Sequence, residues 1–137
     1  MGDFFLTKLS ASLLTLFYLF LSFRIGYLRG SPVMKLFFKM DKEISKIKLE
    51  RNVRAHGNFS EYVPLFLVLL FFAEYFETFN DGFLVISCLI FIYGRVSHAI
   101  CFAFYNYNPF LRISGMICTY LILLILSITL LLNSINI

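Results

Sequence analysis

Long apolar runs, interrupted at only a few places, dominate this chain. Four stretches hold enough mainly apolar residues, about 20 each, to cross roughly 30 Å of hydrocarbon. They cover about 4–28, 53–79, 83–105 and 110–132. Windows this long predict helices, and the polar interruptions predict their connections. Gly30-Ser31-Pro32 ends the first run, because Gly weakens a helix and Pro disfavours helical backbone in the residue before it. A lysine-rich polar stretch follows, so about 29–52 reads as a basic loop. Asn80-Asp81-Gly82 and Asn106-Tyr107-Asn108-Pro109 predict short turns, which make the helices they join antiparallel neighbours. Pro64 falls inside the second run, where it frees the carbonyl near Ser60 and predicts a kink. The expected fold is an all-α membrane protein, a four-transmembrane-helix bundle in a single domain over residues 1–137.

Composition removes the soluble alternative. The chain is 60% hydrophobic with 18 Phe and a mean hydropathy of +0.83, whereas a soluble domain is about 45–50% apolar. One soluble core of this size cannot hide so many large side chains, and lipid removes the difficulty. The first run is long for a signal-peptide core, and no small-x-small cleavage pattern follows it. Residue 6 is Leu, where a myristoylation motif needs Ser or Thr. The expectation is a retained first membrane helix. Cys88, Cys101 and Cys118 all lie in apolar stretches. Their odd number and the absence of a C-x-x-C pair argue for small buried hydrophobes, not a disulfide framework or a zinc site. With His56 and His98 far apart in sequence, no metal is expected.

Charge adds an orientation. Eight of the twelve Lys and Arg lie between Arg29 and Arg54: Arg29, Lys35, Lys39, Lys42, Lys46, Lys48, Arg51 and Arg54. The turn at Asp81 holds none and has Glu74 and Glu77 close by. The positive-inside rule therefore puts the first loop in the cytoplasm. Arg95 and Arg112 flank the last turn on the same side, and both termini face away. The loop will attract anionic lipid headgroups. Nucleic-acid binding is a poor reading, because the excess charge sits where topology demands it.

The second helix opens on a polar stripe. At 100° per residue, Arg51, Arg54, Asn58, Glu61 and Tyr62 fall within roughly a 100° arc. A charge at the bilayer boundary is costly and usually faces a bundle interior or a wet cavity. The plainer reading is an arginine that snorkels to the headgroups and an Arg-Glu pair that only joins helices. Arg51 alone suits that reading better than Asn58 or Glu61 does. In the third helix, Arg95 and His98 are three residues apart and share a side. A lone His98 is more often a hydrogen-bonded packing residue than a catalytic one. In the fourth, Arg112, Gly115 and Thr119 share a face, and Gly115 permits close helix approach. Arg112 near a helix start makes a place for a negative group. Arg29, Arg51, Arg54, Arg95 and Arg112, with Asn58, Glu61 and His98, suit a small ligand with several carboxylates and one amine. Glu61 would meet the amine, the arginines the carboxylates, and one arginine would remain for a thiolate.

Three motifs carry a family resemblance: Glu50-Arg51-x-x-Arg54-Ala55-His56-x-Asn58-x-x-Glu61-Tyr62-x-Pro64, Gly94-Arg95-x-x-His98-Ala99, and Arg112-x-x-Gly115-x-x-x-Thr119. Together they resemble the MAPEG family, the membrane-associated proteins in eicosanoid and glutathione metabolism, over nearly the whole chain. The first motif is specific and the others support it. The Phe-rich, Asn-containing composition resembles a bacterial member, hence the expectation of the bacterial inner membrane. The resemblance implies a homotrimer of four-helix subunits, with glutathione bound as co-substrate between neighbours toward the cytoplasmic side. It implies that Arg54, Asn58, Glu61 and Tyr62 hold glutathione, that His98 lines the site, and that Arg112 stabilises the thiolate. It also matches Arg29 to a further carboxylate-binding arginine. A thiol of pKa near 8.5 is mostly protonated at neutral pH, and a guanidinium beside it favours the nucleophilic anion. The second substrate would be lipophilic and arrive from the bilayer. Phe102 stands where some members place a tyrosine, so either Tyr105 substitutes for it or the second substrate differs.

Three functions stay open at this point. One is a membrane-bound glutathione transferase or peroxidase acting on lipophilic electrophiles or lipid hydroperoxides. Another is a non-catalytic lipid-binding scaffold of the same family, which has no need of a thiolate stabiliser at Arg112. The last is a small channel or transporter, weakened because the polar residues cluster at one end.

Overall fold

A computed structural model describes residues 4–38 and 45–135. Lys39 and Lys42, counted above in the basic loop, lie outside the described residues. Among the described residues every regular element is helical. They are α1 (Phe5–Leu28), α2 (Pro32–Phe37), α3 (Lys46–Tyr75), α4 (Asp81–Phe104) and α5 (Pro109–Ile135). All but α2 are long and apolar enough to cross a membrane.

The boundaries show how local chemistry corrected the hydropathy pattern. α1 ends as expected: Gly30 adopts φ 63°, and the Ser31 and Gly30 amides donate to the Gly26 and Tyr27 carbonyls, a Schellman closure that favours Gly. Pro32 then starts α2 instead of only ending α1. It occupies the first helical turn behind Ser31, whose hydroxyl accepts from the Met34 amide. α3 begins at Lys46, so the last part of the expected loop is helical. Its 30 residues span about 45 Å, longer than the hydrocarbon layer, and the surplus carries its basic first turns. α3 stops at Tyr75, short of the expected 79. There Thr78 and Glu77 donate to the Ala73 and Glu74 carbonyls, with non-glycine Glu77 at φ 48°. Asn80 is a cap and not a turn centre: its side chain accepts from the Phe83 amide at 2.9 Å. Asp81 and Gly82 already belong to α4. Asn108 caps α5 in the same way through the Leu111 amide, with Pro109 behind it. α3 continues without interruption through Pro64.

α3 packs on α1, α4 and α5, and α4 on α1 and α5. The buried positions of α3, Asn52, Ala55, Phe59, Val63, Phe66, Leu70 and Ala73, recur every three or four residues, as a packed helix seam requires. Phe66 stacks on Phe91 of α4 at 3.8 Å. α4 and α5 cross almost backbone to backbone. A Cβ on Gly94 would lie 2.9 Å from the Gly115 carbonyl, and one on Gly115 would lie 2.7 Å from the Gly94 carbonyl. Thr119, fully buried, keeps its hydroxyl on the Gly115 carbonyl at 2.7 Å. Small residues at this crossing bring Arg95 and His98 of α4 beside Arg112 of α5.

α3 also neutralises helix ends at both ends of the bundle. Its Glu74 carboxylate accepts from the Leu6 and Thr7 amides at the start of α1, at 3.0 and 2.8 Å. At the opposite end Arg51 donates to the Cys101 carbonyl at 3.1 Å and to that of Tyr105, where α4 finishes. Both match the sign of the helix dipole.

Candidate functional site

The Gly94–Gly115 crossing opens, one turn toward the basic end, into a cavity of about 270 Å³. α3 contributes Arg54, Asn58 and Tyr62. α4 contributes Arg95, His98 and Phe102, and α5 contributes Arg112, Met116 and Tyr120. Seven of the residues singled out from sequence therefore converge from three helices. Three guanidinium groups border the cavity, and no carboxylate does.

Each side chain is held differently. Arg95 is buried, with 2% exposure. It donates one N–H to the Asn58 carbonyl at 3.2 Å and lies 4.8 Å from the Tyr62 ring. Its Nε is buried without a partner. Unmet buried donors are rare because each costs about 1–3 kcal/mol. His98 is buried and packs on the Phe102 ring at 5.0 Å. Arg112 is exposed, and its guanidinium lies 5.6 Å from the Phe102 ring. Tyr62 and Tyr120 share a 3.1 Å hydroxyl contact. The Asn58 amide donates to the Arg54 carbonyl of its own helix at 2.9 Å.

The helix-wheel stripe divides. Arg54, Asn58 and Tyr62 border the cavity. Glu61 is exposed on the same helix and does not line it. Arg51 turns to the Cys101 and Tyr105 carbonyls at the end of α4. It also lies 5.7 Å from the Phe102 ring. Arg29 caps α1 and stays outside the cavity, and Tyr105 ends α4 in an exposed position. Tyr105 is not among the residues that line the cavity with Phe102. His56 belongs to another contact altogether, bonded to Ser22 at 2.9 Å and packed on Tyr18.

Sequence reasoning missed two lining residues and one supporting pair. Met116 and Tyr120 follow Arg112 at intervals of four, so helical spacing alone could have found them. Arg24 donates from Nε to Asn52 at 2.6 Å, from a terminal nitrogen to the Ala103 carbonyl at 3.0 Å, and stacks on Phe104 at 4.0 Å. Asn52 is buried and bonded to the Lys48 carbonyl at 2.8 Å. A lone arginine one turn inside an apolar helix was the available signal. Among the described residues no cluster of His, Cys, Asp and Glu could hold a metal.

Chemically, the arrangement suits an anion. Converging guanidinium groups repel one another until a negative ligand arrives, and a desolvated site magnifies the gain. Comparison with known proteins agrees with the motifs. The model of the MAPEG family matches residues 7–132, nearly the whole chain. No curated protein matches it.

Proposed function

The chain belongs to the MAPEG family, and from that premise we propose that it is a membrane-bound glutathione transferase or glutathione peroxidase. The observation that carries this reading is the cavity with three arginines, no carboxylate and an unmatched buried Nε on Arg95. Glutathione offers two carboxylates and a thiol, which a cationic cavity favours as carboxylate and thiolate. Arg54 and Arg95 hold carboxylates, Asn58 and Tyr62 the peptide backbone, and Arg112 steadies the sulfur anion. His98 and Phe102 fix the cavity wall. The thiolate then attacks an electrophilic carbon to form a thioether and expel the leaving group. With a lipid hydroperoxide, two glutathiones yield the alcohol, water and the disulfide.

A homotrimer completes the site in this reading. A cavity of about 270 Å³ is smaller than the roughly 300–1,000 Å³ that usually encloses a small ligand. A neighbouring subunit supplies the missing wall, and exposed Glu61 and Arg29 are then free to meet the glutathione amine and a second carboxylate across the interface. The basic end faces the cytoplasm by the positive-inside rule, and the second substrate enters from the bilayer. The non-catalytic scaffold is the alternative, and Phe102 favours it, since a phenyl ring gives the thiol no hydrogen bond.

Turnover of a generic aromatic electrophile by detergent-purified protein tests the proposal, beside Arg112→Ala. The variant is expected to lose turnover by about 10²–10³-fold, the usual cost of removing one donor to a developing anion, and to keep its glutathione affinity within a few-fold. Glutathione binding without turnover in the unmodified protein selects the scaffold. Absence of binding and turnover overturns the enzyme reading.

A further inference from the structure

A second opening, of about 440 Å³, lies between the last turns of α1 and the short helix α2. It shares no lining residue with the arginine cavity. Phe20, Phe23 and Tyr27 of α1 face Val33, Phe37 and Phe38 across it, and Arg24 stands in its wall. α2 itself buries none of its residues. Leu36 is 82% exposed and Phe37 75%. A six-residue helix with three large apolar side chains outside any protein core is stable only against another apolar phase.

The helix is also sided. At 100° per residue, Val33, Leu36 and Phe37 share one face and Lys35 lies opposite. The Lys35 stem reaches back toward Gly30, which places its ammonium at the end of α1 where Arg29 is also exposed. Lys48 is exposed one turn before Asn52, the residue bonded to Arg24. The groove therefore has mainly apolar walls, and exposed cations stand on the segments beside it, Lys35 on α2 and Lys48 on α3. An apolar chain joined to an anionic head complements both.

We propose that the groove between α1 and α2 binds one anionic glycerophospholipid of the surrounding leaflet. An acyl chain lies along Phe20, Phe23 and Tyr27, under Val33 and Phe37, and the phosphate meets Lys35 and Lys48. The lipid fastens α2 to α1.

The chain contains no Trp, so one introduced Trp reports on its own position. Phe37→Trp and, as a control on the outer face of α5, Leu124→Trp are reconstituted as full chains in phosphatidylcholine bilayers. Phosphatidylglycerol or phosphatidylcholine with brominated acyl chains is then titrated in. At Phe37→Trp, brominated phosphatidylglycerol is expected to reach half-quenching at a mole fraction about fivefold lower per lysine engaged than brominated phosphatidylcholine. The preference disappears with Lys35→Gln and Lys48→Gln together, and Leu124→Trp shows none at any stage. Equal quenching by the two lipids at Phe37→Trp overturns the proposal, as does a preference that survives loss of both lysines. No quenching at Phe37→Trp also overturns it, because the groove is then covered by a second copy of the chain.

Discussion

Two groups of arginines occupy the same end of the bundle in opposite surroundings. Arg24 and Arg51 are paired with the carbonyls that end α4, those of Ala103, Cys101 and Tyr105, and Arg24 with Asn52 as well. Arg54, Arg95 and Arg112 border the cavity between α3, α4 and α5, and Arg95 keeps a buried Nε without a partner. A cation at a helix C-terminus stabilises the fold by up to about 2 kcal/mol when partly buried. A desolvated cation with unmet donors costs free energy in the empty protein and returns it when an anion binds. The first group closes the structure and, on the proposed function, the second leaves it open to a ligand, although all five residues are arginines near a membrane boundary.

Below the loss expected for Arg112→Ala, the largest effect that sharpens this contrast belongs to Arg95. Arg95→Met keeps the volume and removes the charge. Glutathione affinity, measured by calorimetry in detergent, is expected to fall about 10–100-fold, the range for losing charged hydrogen bonds. Stability in a denaturing-detergent titration should stay within about 1 kcal/mol, because an apolar replacement of an under-compensated buried charge is often neutral or better. A large loss of stability with affinity intact would move Arg95 into the closing group. Arg24→Gln should do the reverse. It breaks the bond to the Ala103 carbonyl and the stacking on Phe104, and is expected to lower stability by about 2 kcal/mol. The glutathione KM should remain within about twofold.

The helices were legible in the sequence because hydropathy over 20 residues outweighs local detail. Their ends were not, because caps decide them. Asn80 has the composition of a turn residue yet accepts an amide as an N-cap, and Glu77 closes α3 in a left-handed conformation where Gly or Asn is the usual signal. α2 was hidden by Pro32, which reads as a breaker and acts as a starter. The cavity was legible where a helix wheel suffices: Arg54, Asn58 and Tyr62 were placed on one arc, and they line it. The wheel fixes the direction of a Cα–Cβ bond and not the end of a long side chain. Arg51 shares the arc and still reaches across to α4. Arg24 escaped notice for the same reason, since its worth lies in carbonyls 79 residues away that no periodicity reveals.

Arg51 and Arg54 give the smallest and most discriminating test, because they stand three residues apart on one helix. Arg51→Gln keeps a donor and loses the charge that faces the end of α4. Stability should fall by about 1 kcal/mol, with the glutathione KM changed less than about twofold. Arg54→Gln removes an exposed cation from the cavity border. Its expected result is unchanged stability and a KM raised about fivefold, the size of one peripheral charge contact. The Arg51 guanidinium bonds the end of α4 while Arg54 borders the cavity, so the double variant should show both effects as a simple sum, to within about 0.5 kcal/mol. Coupling beyond that would mean that the end of α4 and the cavity share one arginine network. The contrast between closing and receiving arginines would then be one of degree, with the Phe102 ring, which both Arg51 and Arg112 approach, as the bridge between them.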